Sequence, residues 1–198
     1  MTEHRCRLFL VAPAGTNPDH LAACLESALS CGDIACLRLP PEPATVERLM
    51  PIAQAADIAV VIFADAPMAR QYNADGVQLD GDLAVYEAAR AIVGPDRIVG
   101  INASSLRHHA MQVAEAGADF VAIDQSATMD DGETVITWWA EVMQVPCVTQ
   151  HPCTPDEITA LAAAGVDFVR PLDAMWDSPE AARDVTAEAL AAVAGAGS

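Results

Sequence analysis

The chain has 198 residues, 53% hydrophobic and 19% charged, enough for one well-buried core and too few for two ordinary domains, so a single domain over 1–198 is expected. Twenty-eight acidic side chains against ten basic ones give a formal charge of −18, a surface that repels phosphodiester backbones and anionic headgroups and excludes nucleic-acid and membrane-surface partners. All ten basic residues are arginine, which rules out Schiff-base and P-loop lysine chemistry.

The start, MTEHRCRLFLVAPAG, reaches a proline after a short apolar run and does not read as an export signal, and no apolar stretch approaches bilayer length. Cys6, Cys24, Cys31, Cys36, Cys147 and Cys153 are scattered through periodic apolar segments with no CxxC pair. Reduced thiols in a cytoplasmic protein are the expectation.

Short β-branched runs predict strands at 7–12, 34–38, 58–63, 75–79, 97–101, 118–123, 145–149 and 166–170. Helical patterns lie between them. Leu21, Cys24, Leu25, Ala28 and Leu29 mark the first, and Pro51 within Val46, Leu49, Met50 and Ala53 implies a kink or a later start in the second. Val85, Ala88, Ala89 and Ile92 mark the fourth, His108 and His109 fall on the fifth, and Trp138, Trp139 and Trp176 are expected to cover apolar surface. Thr154-Pro-Asp-Glu157 is a capping box opening the seventh helix, and Ser178-Pro-Glu repeats the serine and proline at the eighth. Gly32, Gly117 and Gly165 stand where left-handed helix ends belong.

An internal echo runs through this order. Asp33, Asp75, Asp119 and Asp167 each precede a β-branched run, 42, 44 and 48 residues apart, about twice a strand-plus-helix unit. Eight βα units follow, predicting an α/β fold and a compact (β/α)8 (TIM) barrel, with an open doubly wound sheet as the alternative.

In such a barrel function sits at the carboxyl ends of the strands. Those ends carry Arg38 and Arg170 among the carboxylates Asp65, Asp80, Asp82, Asp124 and Asp173, so an anionic ligand calls for a bridging divalent cation, magnesium. Asp65 with Asp82 is the candidate metal pair; the ordinary reading of both is helix capping, Asp82 standing directly before Leu83-Ala-Val85. His151 is the one imidazole at a predicted strand end and the candidate acid or base, or else a loop histidine beside Cys153. Arg38 and Arg170 either contact ligand or neutralise the aspartates. No glycine occurs between Glu133 and Ala164 or between Val166 and Ala194, so the loops after strands seven and eight, where barrels usually cradle phosphate with backbone amides, offer no tight nest.

Several strings resemble the thiamine phosphate synthase and thiazole tautomerase family, small (β/α)8 barrels, along almost the whole chain. Cys36-Leu-Arg38 stands where that family has Gln-Leu-Arg, and Asn73-Ala-Asp-Gly-Val-Gln78-Leu where it has Gly-Ala-Asp-Gly-Val-His-Leu. Ile98-Val-Gly-Ile and Gly117-Ala-Asp-Phe-Val match its Ile-Ile-Gly-Val and Gly-Ala-Asp-Tyr-Ile. The resemblance implies joining of an aminopyrimidine diphosphate to a thiazole phosphate with release of pyrophosphate. It implies magnesium on Asp65 and Asp82, each displaced by one position from the family's aspartates, and a pocket lined by Arg38, Gln78, Asn102 and Ser104, to which the strand-end reading adds Arg170. The chain departs where the family has positive charge or glycine: Pro40 and Met129-Asp-Asp131 replace lysine-bearing segments, and His151-Pro152 replaces Gly-Gly.

Three functions follow as expectations. The first is a synthase in thiamine biosynthesis acting on small molecules, with a homo-oligomer left open. The second is a noncatalytic relative that binds an unphosphorylated ligand or a protein partner. The third is an isomerase in which His151 moves protons.

Overall fold

A computed structural model describes residues 6–104 and 107–196, without the side chain of Ser104. The eight β-branched runs form strands β1 (Arg7–Val11), β2 (Ile34–Leu39), β3 (Ala59–Phe63), β4 (Gly76–Asp80), β5 (Ile98–Ser104), β6 (Phe120–Ile123), β7 (Cys147–Thr149) and β8 (Phe168–Val169). Each pairs in parallel with the next, and β8 pairs with β1, so the sheet closes into the expected barrel. Helices α1 (Pro18–Leu29), α2 (Pro43–Ala55), α3 (Ala66–Gln71), α4 (Leu83–Val93), α5 (Arg107–Glu115), α6 (Val135–Val142), α7 (Pro155–Ala163) and α8 (Pro179–Gly195) follow the strands in turn. A short 3₁₀ turn, Asp173–Trp176, precedes α8. No helix among the described residues is long and apolar enough to cross a membrane.

Strand side chains alternate between two separate cores. Leu8, Leu10, Leu37, Leu39, Val60, Ile62, Val77, Val99, Ile101 and Val121 belong to the large cluster shared with the helices. Phe9, Val11, Cys36, Val61, Phe120, Ala122 and Val148 fill the barrel interior as a second cluster. Phe9 and Phe120 meet edge to face at 5.6 Å. Phe120 also presses on the backbone of Gly100, where an added Cβ would lie 2.0 Å from the ring. A glycine is required there by that close approach.

The four echoed aspartates sit at the opposite, amino-terminal face. Asp75, Asp119 and Asp167 accept the backbone N–H of Val60, Val99 and Cys147, each tying an even-numbered strand to the odd one before it in sequence. Asp33 takes the Arg7 guanidinium at 2.7 and 2.9 Å. Just ahead of them Asn73, Gly117 and Gly165 all have positive φ. The repeat is therefore a device for starting strands, on the face where barrels keep their stability residues.

Capping follows the sequence closely. Thr154 and Glu157 form the reciprocal box on α7, and Ser178 accepts from Ala181 N on α8. Of the two expectations for Pro51, the later start is corrected: α2 starts at Pro43 and runs through Pro51 to Ala55, with Val46, Leu49 and Ala53 fully buried. Packing of that apolar face outweighs the lost backbone donor.

Candidate functional site at the barrel mouth

The inward parity of the strands continues upward from the apolar floor. Above Cys36, Val61, Gly100, Ala122, Val148 and Phe168 the same alternation brings Arg38, Phe63, Gln78, Asn102, Asp124, Gln150 and Arg170 to the carboxyl end, with Asp80 one step above Gln78. Period-two reading of the strands identifies this ring, including Phe63, which inspection of the strand ends alone missed. A register irregularity between Asn102 and Ser104 sets two β5 residues against one on β6 beside the site.

Arg38 lies with its guanidinium 4.5 Å above the Phe63 ring, mostly withdrawn from solvent. It makes no hydrogen bond among the described residues. Burial, and then the neighbouring positive charge of Arg170, push it down to about 10, partly offset by Asp80 and Asp173. Arg38 thus stays a cation at neutral pH, desolvated and without an acceptor. Arg170 is the contrasting case: Nη2 donates to both Asp173 oxygens at 2.7 and 2.8 Å and Nη1 to Gln150 O at 3.2 Å, while the buried Nε has no partner among the described residues. Of the two roles foreseen for these arginines, internal pairing describes Arg170 and not Arg38.

Gln78 and Asn102, 2% and 7% exposed, form a relay in which Gln78 Nε2 donates to Asn102 Oδ1 and Asn102 Nδ2 to Asp80. Ser104 ends β5, and its side chain lies outside the described residues. Beside Arg170 an open cleft of about 500 Å³ runs between the β1 and β8 ends, lined by Val11, Thr16, His20, Asp173 and Trp176.

Asp65 and Asp82 both take the capping role. Asp65 Oδ1 accepts Met68 N at 2.8 Å, and Asp82 Oδ1 accepts Ala84 N and Val85 N at 3.0 and 3.2 Å. The second carboxylate oxygen of each has no hydrogen bond among the described residues. No group of three or more His, Cys, Asp or Glu able to hold a metal occurs among those residues. A magnesium ion is compatible with such a pair in only one way, with one or two carboxylates on the protein side and substrate phosphate and water completing the shell.

His151 is 57% exposed, with Nε2 3.9 Å from Asp124 Oδ2. Hydrogen bonds from Ser126, and to a lesser degree His151, hold the Asp124 carboxyl below its ordinary range. Gln125 organises the next loop: its Oε1 accepts His151 N at 3.2 Å and its Nε2 donates to His151 O at 3.0 Å. Every backbone N–H of that loop is spent internally. Gln150 N goes to Ile123 O, Cys153 N to Arg170 O and Thr154 N to Glu157, while Pro152 and Pro155 have none. After β8, Arg170 N donates to Thr149 Oγ1 and Pro171 again has no N–H. Residues 150–155 offer no amide to a phosphate, as the missing glycines imply.

A sequence model described as thiamine monophosphate synthase matches residues 8–174. The thiamine-phosphate synthase of Rhodospirillum centenum is 36% identical over 189 residues, covering 88% of this chain and 91% of that protein. That of Erythrobacter litoralis is 34% identical over 209 residues, covering 96% and 98%. The solved structure of a thiamine phosphate pyrophosphorylase from Pyrococcus furiosus superposes with a TM-score of 0.77 over 98% of both chains at 20% identity, a likeness of fold. With the barrel, the arginine-bearing mouth and relatives aligned along nearly their whole length, the chain belongs to the thiamine monophosphate synthase family.

Proposed function

We propose that the chain joins an aminopyrimidine diphosphate to a thiazole phosphate and releases pyrophosphate, and that it grips phosphate with arginine side chains in place of a backbone nest. The observation that carries this reading is Arg38, a desolvated guanidinium with no acceptor, beside the second cation Arg170. Arg170 already has its anion in Asp173, so the unfavourable charge that an incoming anion would relieve is that of Arg38. A charge-assisted hydrogen bond to that anion contributes about 1.5–3 kcal/mol. The names of the relatives support the substrate assignment.

In this reaction the bond between the pyrimidine methylene and the diphosphate oxygen breaks, its electron pair leaving with pyrophosphate. The thiazole nitrogen lone pair then forms the new C–N bond. Arg38 neutralises the charge that grows on the departing oxygen, while Arg170, held by Asp173, fixes the rim beside it. Phe9, Phe120, Val11 and Val148 floor the site with apolar surface that keeps water from the electrophilic carbon. No protein nucleophile is needed, which accords with Cys153, the thiol nearest the mouth, being buried and raised by that burial. Magnesium, when bound, supplies further charge for the leaving pyrophosphate, and Asp65 and Asp82 would hold it through their uncapped oxygens. The six unpaired thiols support a cytoplasmic location.

The sealed loop at 150–155 favours a second reading, a noncatalytic relative that binds an unphosphorylated ligand or a protein partner. An exposed His151 whose nearest acid is 3.9 Å away gives the isomerase reading no comparable support. Incubating purified protein with both substrates separates the two that remain. Thiamine phosphate appearing only with magnesium supports the synthase; no product with or without magnesium contradicts it.

A further inference from the structure

The segment between β2 and α2 reads Pro40-Pro41-Glu42-Pro43, three prolines that fix φ around one acid. Glu42 N donates to Pro40 O at 2.8 Å and bends this arm further. Glu42 stands directly before α2, yet its carboxylate does not cap that helix. It reaches the neighbouring loop instead: Oε2 accepts the Thr45 hydroxyl at 3.0 Å, and Oε1 accepts the N–H of Gly15, in the loop between β1 and α1, at 2.8 Å. Thr45 is 1% exposed, so a buried hydroxyl aims the acid. Gly15 has a φ of 70° and nothing packed beside its Cα, so its glycine serves the turn and not a close approach. Among the described residues, its bond to Glu42 is the one hydrogen bond that any backbone N–H of residues 14–17 makes.

The loop held in this way is a wall of the cleft. Its root lies beside Arg38: Val11 pairs with Arg38 across the sheet, and Ala12 N donates to Arg38 O at 2.9 Å. Pro13 and Thr16 then line the cleft next to Arg170. Just beyond the loop, His20 Nε2 donates to Trp176 O at 2.8 Å and straps the first turn of α1 to the opposite side. A loop ordered before substrate arrives does not have to lose that freedom on binding, which would otherwise weaken affinity. We infer that Glu42 is a positioning residue for the mouth: through Gly15 it holds the loop between β1 and α1 as a preformed wall against which substrate binds. The inference rests on the synthase reading for what that substrate is, and goes beyond it in naming a residue that acts through the loop alone.

The test compares wild type, Glu42→Ala and Glu42→Gln, each as the full chain. Glutamine keeps an acceptor for the Gly15 N–H and loses the charge. Amide hydrogen exchange at Gly15 reads the bond, and steady-state kinetics read its consequence. In Glu42→Ala, exchange at Gly15 is expected to quicken by about tenfold and KM for at least one substrate to rise by about tenfold, as ordering roughly one loop residue on binding requires, with kcat within about twofold and the melting temperature little changed. Glu42→Gln is expected to restore slow exchange and most of the affinity. Exchange at Gly15 that ignores Glu42→Ala overturns the inference, and so does faster exchange with KM untouched. A glutamine variant as impaired as the alanine one also overturns it, because charge and not the hydrogen bond is then at work. A lowered melting temperature with reduced kcat marks a merely structural residue and counts against it equally. If wild-type protein makes product and Gly15 is indifferent to Glu42, the inference alone fails. If wild-type protein makes no product, the synthase reading fails and the role in substrate binding falls with it, while exchange at Gly15 still decides whether Glu42 holds the loop.

Discussion

In the proposed reaction Arg38 is the single side chain that carries the most weight. Replacing it with alanine removes a largely desolvated charge that makes no hydrogen bond among the described residues and gives up its stacking on Phe63, so Arg38→Ala should leave the melting temperature little changed while cutting kcat/KM by roughly 10- to 100-fold, the equivalent of about 1.5–3 kcal/mol. A thermal melt beside a steady-state assay checks both halves. Asp65 and Asp82 invite a sharper dissection, because asparagine caps a helix as well as aspartate but carries no charge. The double change Asp65→Asn with Asp82→Asn should hold stability within about 0.5 kcal/mol while raising the magnesium needed for half-maximal activity at least tenfold. An unchanged magnesium requirement would remove these two residues from metal binding. At this scale the sequence was only partly legible. It marked Arg38 and Arg170 as mouth residues yet could not say which was paired, because the answer depends on Asp173, three residues on, turning back to Arg170. The Gln78–Asn102–Asp80 relay joins two strands through side chains that only three-dimensional register brings together.

Among the elements, strands were easier to foresee than their interior fit. β-branched runs, the echoed aspartates and the capping box placed all eight strands and the start of α7 before any coordinates, since each is a local signal of backbone conformation. Pro51 does not delay the start of α2, because its penalty is local while the buried face that carries the helix through it is set by tertiary packing. Gly100 was invisible for the same reason, as nothing nearby in sequence announces that the Phe120 ring fills the space beside its Cα. Gly100→Ala should destabilise the barrel by about 1–3 kcal/mol through overpacking, measurable by urea titration, and it should not be neutral as an ordinary strand Gly→Ala change would be. Thr154→Ala, which breaks the capping box, should cost about 1 kcal/mol and lower the melting temperature by about 2–4 °C.

For the whole molecule, charge and buried thiols set the response to solvent. Burial holds the Cys6 and Cys147 thiols protonated, raised to about 12 from 9.0. Below pH 9 their contribution to stability is intact; above it the unfolded chain loses protons that the folded chain keeps, so stability falls as pH climbs from 9 toward 12. Denaturant midpoints measured across that range should decline, and exchanging both cysteines for alanine should lessen the decline without abolishing it, since burial raises the Cys36 thiol as well, at the expense of some packing. The formal charge of −18 adds self-repulsion, and salt that screens it should raise the melting temperature. On the proposed reading, the same excess of acid makes admission of a phosphorylated substrate the central problem of the mouth, to be met by Arg38 and a bridging cation. Titration of inorganic pyrophosphate with magnesium into wild-type protein and into Arg38→Ala tests that solution most directly. Binding to the wild type that weakens by roughly tenfold or more in the variant is the predicted result; equal affinity in the two proteins, or none in the wild type, would contradict it.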